Sequence, residues 1–411
     1  MPQTPGRIYL TISVPLPLLS WESWLPGNNS NSSNNKDMAG IYLHIPFCKQ
    51  ACYYCNFHFS TSLAQQPALI KQMLREAALQ KDYLAGQTVT SIYFGGGTPS
   101  LLKKEDLQQL LDTLYNTFEI SPEAEITLEA NPDDLTPPKL GELRSTGINR
   151  LSIGVQSFHE EDLRWMNRAH DSQQALQCIR DAQTAGFNNL TIDLIYGGPT
   201  LTDEGWATNV QQAIDLGVQH LSCYALTVEP GTALDQFIRK KKVAAVDTDK
   251  AARHFELLMQ WMAKAGYEHY EISNFALPGW HSRHNSSYWQ SQPYLGLGPS
   301  AHSFNGHSRQ WNIANNALYI KSMEQDIIPF EIEELTPSMM LNEYIMTTLR
   351  TSQGCLLPVV AERFGVEKRD TLLNMARPFI DKGWMIFREE ALVLTPEGRL
   401  FADGIASDLF F

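Results

Sequence analysis

Cys48, Cys52 and Cys55 lie within eight residues in a C-x3-C-x2-C spacing, just after the short apolar run Ile41-Tyr42-Leu43. Thiolates are ligands for zinc and for iron-sulfur clusters, and a four-iron cube normally takes one cysteine for each iron. Three cysteines leave one iron of such a cube open. An open coordination position separates a metal centre that does chemistry from one that only braces a fold. Spacing alone leaves other readings standing. Zinc closed as Cys3His is available because His44 and His58 flank the triplet. A disulfide would use two thiols and leave the third over, and three ordinary core cysteines this close together are unusual. Cys178, Cys223 and Cys355, scattered through apolar contexts, read as core thiols.

A reactive loop needs elements to hold it. From residue 38 onward, β-rich runs at 41–45, 91–94, 125–129, 151–155, 190–195 and 220–226 alternate with amphipathic stretches at 63–84, 103–118, 138–145, 171–185, 206–216 and 249–265. Six βα units in a row imply parallel strands with crossover helices, in an open doubly wound sheet or a barrel. The unusual residues favour the barrel, because they gather at the carboxyl ends of the strands, the rim where βα barrels carry their chemistry. The cysteine loop follows the first strand and Gly95-Gly96-Gly97-Thr98-Pro99 the second, while Glu129, Gln156 and Asp193 stand at or near the ends of the next three. The expectation is therefore an α/β protein built on a partial (βα)6 TIM-like barrel. Glycines straight after a strand let a backbone approach a ligand closely, and this run matches neither a P-loop nor a dinucleotide fingerprint. Glu129 and Asp193 taken singly read as loop caps or surface charges, and Gln156 alone says nothing. Their shared position carries the functional reading.

The chain has 411 residues, room for a large core and for two domains. With 32 basic against 45 acidic residues and a formal charge of -13, a general nucleic-acid or anionic-membrane surface is not expected. The run Arg239-Lys240-Lys241-Lys242 reads as a solvated helix face. Residues 1–37 differ from the rest. Arg7 and the apolar stretch 8–19 superficially resemble a signal peptide, but Pro15 and Pro17 interrupt it and no A-x-A-like site follows. The stretch is also shorter than the ~20 apolar residues of a membrane span. A polar Asn/Ser tract at 28–35 follows. We expect a disordered or misassigned extension with Met38 as the natural start of a cytoplasmic protein.

Beyond residue 330 the βα rhythm stops. Helical patterns at 337–350, 358–364 and 370–382 precede strands at 385–387 and 392–394, joined near Glu389-Glu390, and a last helix over 396–406 opens on Pro396. The expected organisation is a core over 38–270, a connecting region over 271–330 and a winged-helix-like accessory domain over 331–411. Asp381, Glu389 and Glu390 put acid where a wing would meet phosphate, so a lid or docking role fits better than DNA reading.

With the triplet and the glycine run together, the chain resembles the radical S-adenosylmethionine superfamily. More narrowly, Tyr42-Leu43-His44-Ile45-Pro46-Phe47-Cys48, Leu151-Ser152-Ile153-Gly154-Val155-Gln156-Ser157-Phe158 and Ile192-Asp193-Leu194-Ile195-Tyr196-Gly197 resemble the oxygen-independent coproporphyrinogen III oxidase (HemN) family, and the likeness runs from Met38 to the C-terminus. This implies a [4Fe-4S] cluster on Cys48, Cys52 and Cys55, S-adenosylmethionine on its open iron, and an electron donor for the cluster. It also implies that Tyr42, Tyr54, Gly96, Gly97, Thr98, Glu129, Gln156, Arg168 and Asp193 line the S-adenosylmethionine site. Glycine-run carbonyls and Glu129 would accept from the ligand's ammonium, Arg168 would pair its carboxylate and Asp193 would accept from ribose hydroxyls.

Two features divide that family. The oxidases carry a fourth cysteine two residues after the third, where this chain has Phe57. Arg283-His284-Asn285-Ser286-Ser287-Tyr288-Trp289 resembles the H-N-x-x-Y-W motif of the haem chaperone branch, HemW, and Tyr270-Glu271-Ile272-Ser273-Asn274-Phe275 and Gly296-Leu297-Gly298-Pro299-Ser300-Ala301-His302-Ser303 fit the same branch. The branch implies haem binding, transfer to an acceptor protein and His284 as the best single axial-ligand candidate, with tyrosine and tryptophan offering flat apolar surface to a porphyrin. By residue type alone His284 reads as a core or loop histidine, and His281, His302 and His307 are alternative ligands. The enzymatic alternative is coproporphyrinogen dehydrogenase. A third is a zinc-stabilised binding protein without radical chemistry.

Overall fold

The computed structural model describes residues 38–411, so the expectations for residues 1–37 lie outside the described residues. Strands β1 (Met38–Ile45), β2 (Thr88–Gly96), β3 (Ile120–Ala130), β4 (Arg150–Gln156), β5 (Leu190–Tyr196) and β6 (His220–Ala225) run parallel, side by side in chain order. The crossovers are made by α1 (Gln66–Leu79), α2 (Lys104–Thr117), α3 (Pro137–Ser145), the pair α4 (Glu160–Trp165) and α5 (Ser172–Thr184), and α6 (Asp203–Asp215). Helices α7 (Ala233–Arg239) and α8 (Thr248–Lys264) follow β6.

The sheet does not stop at six strands. β7 (Glu268–His269) and β8 (Asn274–Ala276) add beyond β6, while β9 (Tyr294–Leu297), β10 (His302–Phe304), β11 (Ser308–Asn312) and β12 (Phe330–Glu334) add beyond β1. Twelve strands result, with free edges at β12 and β7, so the barrel is partial as expected. The segment 271–330 thus supplies strands to the main sheet. Its strands, at five residues or fewer, are too short for an alternation to show in the sequence.

Period-two alternation gives the core strands two unlike faces. Ile41, Leu43 and Ile45, Ile92 and Phe94, Leu151 and Ile153, and Ile192 and Leu194 are buried in one apolar cluster with Leu69 and Met73 of α1 and Leu110 and Leu114 of α2. Each such side chain contributes about 1.5–3 kcal/mol on burial. The intervening positions carry Tyr42 and His44, Ser91 and Tyr93, Glu125 and Glu129, Arg150 and Ser152, and Asp193. A polar inner face is costly unless its groups are hydrogen-bonded. Glu125 shows how that is met: it accepts from Ser282 Oγ at 3.2 Å, Arg283 N at 3.0 Å and His284 N at 3.1 Å. Those bonds fix the start of α9 (Arg283–Trp289) against the strand interior, and Ser282 caps it by accepting from Asn285 N.

Helix α10 (Asn316–Met323) packs beside α1, and a buried Glu76 ties both to the β9–β11 extension. Glu76 accepts from Gly298 N at 2.8 Å, Asn312 Nδ2 at 2.6 Å and Tyr319 Oη at 2.5 Å. The C-terminal region comprises α11 (Pro337–Leu349), α12 (Leu357–Phe364) and α13 (Val366–Asp381) with a small antiparallel sheet in which β15 (Ala391–Leu394) lies between β13 (Cys355–Leu356) and β14 (Met385–Arg388). Glu389 and Glu390 turn the hairpin with φ of 51° and 66°, the two-residue turn expected there. The last expected helix is two, α14 (Pro396–Arg399) and α15 (Ala402–Asp408). Gly398 lies so close to Trp384 that a Cβ would sit 1.8 Å from its carbonyl oxygen, a contact the linear pattern does not reveal. Among the described residues, no helix is long and apolar enough to cross a membrane.

Candidate functional site

The cysteine loop is rooted by backbone bonds on both sides. Cys48 N donates to Ser60 O at 3.0 Å and Ser60 N to Pro46 O at 2.9 Å, while Gly97 N reaches Ile45 O at 2.9 Å and Thr98 N reaches Phe47 O at 2.7 Å. This explains part of the glycine run. A Cβ on Gly97 would stand 2.7 Å from the Phe47 backbone, and one on Gly96, at φ 105°, would stand 2.6 Å from the His44 ring. The glycines therefore let β2 lie against the root of the cysteine loop.

Cys48, Cys52 and Cys55 are free, half-buried thiols. Burial raises the Cys48 thiol and pushes Cys55 up to about 12, so a bound metal would have to favour the thiolates. Arg168 supplies a cation: its Nη1 lies 3.2 Å from Cys52 Sγ and 3.3 Å from Tyr54 Oη, and its Nη2 donates to Asn131 Oδ1 and Gly154 O at 2.7 Å. The Cys3His alternative finds no fourth ligand. His44 Nδ1 lies 3.1 Å from Tyr42 Oη, its Nε2 donates to His58 O at 3.0 Å, and His58 Nε2 lies 2.7 Å from Asn316 Oδ1. Among the described residues, no three His, Cys, Asp or Glu side chains converge as ligands of a single ion. Three thiols on one loop beside a half-buried guanidinium suit a polynuclear cluster with one open iron.

The strand-end residues converge. Glu129 accepts from Tyr93 Oη at 2.8 Å and from Gly96 N at 3.1 Å. Burial pushes its carboxyl up to about 7, and the nearby Asp193 charge adds to this. Asp193 accepts from Ser152 Oγ at 3.4 Å, and burial pushes it up to about 6. Both remain partly accessible, as do Tyr42, Tyr54 and Arg168. Gln156 ends β4 with a φ of 67°, beside a register irregularity between β4 and β5. A non-glycine residue held there marks a strand end shaped by something other than the ladder. Asn131 and Asn167, which contact Arg168 and the cysteine loop, escaped the sequence reading because a single asparagine in a loop carries no pattern.

His284 sits at the other end of the interior. Its Nδ1 is 2.9 Å from Ser91 Oγ, its ring stacks on Tyr93 at 4.9 Å and on Tyr42 at 6.4 Å, and Tyr288 meets it edge-on at 5.1 Å. A Cβ on Gly40 would press on Ser91 Oγ at 3.2 Å and lie in ordinary contact, at 3.5 Å, with the imidazole. The residue is 1% exposed, and Nε2 has no hydrogen-bond partner among the described residues. Burial lowers its pKa to about 3, so the imidazole is neutral at physiological pH. Trp289, at the end of the same helix, lies under the Arg350 guanidinium at 5.7 Å. His281 pairs with Glu268 at 2.7 Å, and His302 and His307 are exposed.

A parallel αβ core that brings three cysteines, a guanidinium and two half-buried carboxylates to one strand-end rim defines a radical S-adenosylmethionine protein. Residues 42–213 match the Radical SAM superfamily and residues 335–401 match the HemN C-terminal domain. The fold aligns with the Escherichia coli coproporphyrinogen III oxidase HemN, a radical SAM enzyme, with a TM-score of 0.79 over 91% of this chain and 90% of that one, at 24% identity. Proteins named heme chaperone HemW are similar in sequence: that of Mycobacterium tuberculosis is 35% identical over 375 residues, 90% of this chain and 94% of that protein. The Bacillus subtilis HemW is 31% identical over 90% of this chain and 98% of its own length. The chain belongs to the HemW family, within the HemN-related radical S-adenosylmethionine proteins, as the Tyr42–Cys48 and H-N-x-x-Y-W segments led us to expect.

Proposed function

We propose that this protein is a cytoplasmic haem chaperone that binds haem and passes it to an acceptor protein. The reading is carried by the H-N-x-x-Y-W helix, which buries a neutral histidine with an unpartnered Nε2 among three tyrosines, in a chain whose relatives are named heme chaperones. In this reading His284 ligates haem, and Tyr42, Tyr93 or Tyr288 must turn aside to admit it. Cys48, Cys52 and Cys55 hold a [4Fe-4S] cluster with S-adenosylmethionine on its open iron, and an electron donor serves the cluster. When bound and reduced, that cluster supplies the electron for cleaving the sulfonium bond of S-adenosylmethionine.

The chain's own residues have definable tasks. Arg168, already beside Cys52, pairs the ligand's carboxylate, Glu129 accepts from its ammonium and Asp193 accepts from ribose hydroxyls. Tyr42, Tyr54, Gly96, Gly97, Thr98 and Gln156 complete the wall. Because Glu129 titrates near 7, its ionised fraction rises between pH 6 and 8. If the ligand binds only the ionised form, affinity for S-adenosylmethionine should strengthen about tenfold over that range. Equilibrium dialysis at both pH values checks this, and Glu129→Gln should flatten the difference.

Anaerobic reconstitution followed by parallel assays of haem binding and coproporphyrinogen turnover tests the function. Stoichiometric haem binding without turnover is expected, since exposed Phe57 stands where the oxidases carry a further cysteine. Conversion to protoporphyrinogen at a catalytic rate would make the protein a dehydrogenase instead.

A further inference from the structure

The three residues between Cys48 and Cys52 are exposed, yet each is tethered. Lys49 Nζ reaches Asp133 Oδ2 at 2.8 Å and also pairs with Asp134, both in the short turn Pro132–Asp134 after β3. Gln50 Nε2 donates to the backbone oxygen of Asn167 at 2.9 Å, and Asn167 Nδ2 donates back to the Ala51 carbonyl at 2.8 Å. Asn167 makes this two-way clasp from a φ of 58°, a left-handed conformation that asparagine tolerates better than most side chains. The residue after it, Arg168, is the one that reaches Cys52 Sγ. Loops from two neighbouring strands thus grip the spacer from both sides.

An exposed ion pair usually contributes little. Here the Lys49 side chain is 43% exposed but its partner Asp134 is only 4% exposed, so the ammonium offsets a buried carboxylate and its removal strands that charge. The potential of an iron-sulfur cluster depends on donors to its sulfurs and on solvent exposure, and both follow from where the spacer lies. We propose that Lys49 and Asn167 are positioning residues that fix the Cys48–Cys52 spacer before the cluster binds. They thereby set the solvent exposure of its sulfurs and the approach of Arg168 to Cys52. This inference rests on the cluster reading given above.

The test uses full-length protein reconstituted anaerobically with iron and sulfide, as wild type, Lys49→Met, Lys49→Arg, Asn167→Gly and the double variant Lys49→Met with Asn167→Gly. Glycine at 167 keeps the left-handed backbone and the bond from Gln50, and removes only the side-chain bond to Ala51. The readouts are midpoint potential by EPR-monitored titration, the rate of iron loss to a chelator and the thermal unfolding temperature of the apo form. The double variant should lose iron about tenfold faster than wild type, with a displaced potential, while the stranded Asp134 charge lowers the apo unfolding temperature. Lys49→Arg should restore the wild-type values. The inference is overturned if the double variant keeps wild-type potential and iron-loss rate, or if faster loss merely tracks a lower unfolding temperature at constant potential. A wild type that reconstitutes with no four-iron cluster overturns the cluster reading itself, and this inference with it.

Discussion

Serine at any one of Cys48, Cys52 or Cys55 is expected to abolish the cluster: after anaerobic reconstitution, iron and labile sulfide should fall from about four per chain to near zero, with loss of the charge-transfer absorption and the reduced EPR signal. The magnitude follows from ligand count. With three thiolates the site is already one short, so the loss of another leaves two irons without a protein ligand, and no neighbouring group stands ready to replace it. His44 spends both ring nitrogens on Tyr42 and the His58 carbonyl, and His58 lies against Asn316. The fold should survive, because the loop is rooted by backbone bonds to Ser60, Ile45 and Phe47 that need no metal. Phe57→Cys makes a useful contrast. It is 43% exposed, so the substitution should be tolerated, and the question is whether it alters S-adenosylmethionine binding at the open iron. A serine variant that retained four irons would refute the assigned ligand set. Zinc without labile sulfide in the wild type would revive the zinc alternative.

The second large effect is expected at His284. His284→Ala should remove the histidine-ligated haem spectrum and weaken haem binding at least tenfold, read by anaerobic titration of the Soret band. Because the ring is buried against Tyr93 and bonded to Ser91, alanine also leaves a void and an orphaned hydroxyl, at a cost of about 1–3 kcal/mol in stability. Two further variants separate ligation from packing. His284→Gln retains most of the volume and a partner for Ser91 but cannot serve as an imidazole ligand, so it should lose the spectrum while staying folded. Ser91→Ala keeps the imidazole and removes only its Nδ1 partner, so it should shift the haem spectrum without erasing it. If His284→Gln binds haem with wild-type spectrum and affinity, His284 is not the ligand. The exposed His302 and His307 are then the next to substitute.

Much of this architecture was legible in the linear chain. The six core strands are long enough for alternation to declare itself, and the helices between them carry continuous apolar stripes, so their order and parallel sense followed. The polar members of that alternation include residues of the proposed site: Glu129 and Asp193 drew notice through their shared position at strand ends, and Tyr42 through the family resemblance. The short strands β8 to β12 and helices α4 and α7 offered too few residues for a period to emerge. Similarly, nothing local distinguishes Gly398 from a helix-compatible glycine until Trp384 is placed against it.

The C-x3-C-x2-C triplet, the glycine run and the H-N-x-x-Y-W segment determined by themselves the family and the chemistry it implies, because ligand type and spacing are local properties. What only tertiary structure decided is how these pieces stand to one another. Gly97 serves the cysteine loop, Arg168 comes from a different βα unit to meet Cys52, and His284 lies sealed at the far end of the interior from the cysteines. Such placements depend on contacts between residues tens to hundreds of positions apart. Burial, hydrogen-bond partners and the resulting protonation states, such as a neutral His284 and a Glu129 that titrates near 7, are properties of those contacts and are absent from the sequence taken one segment at a time.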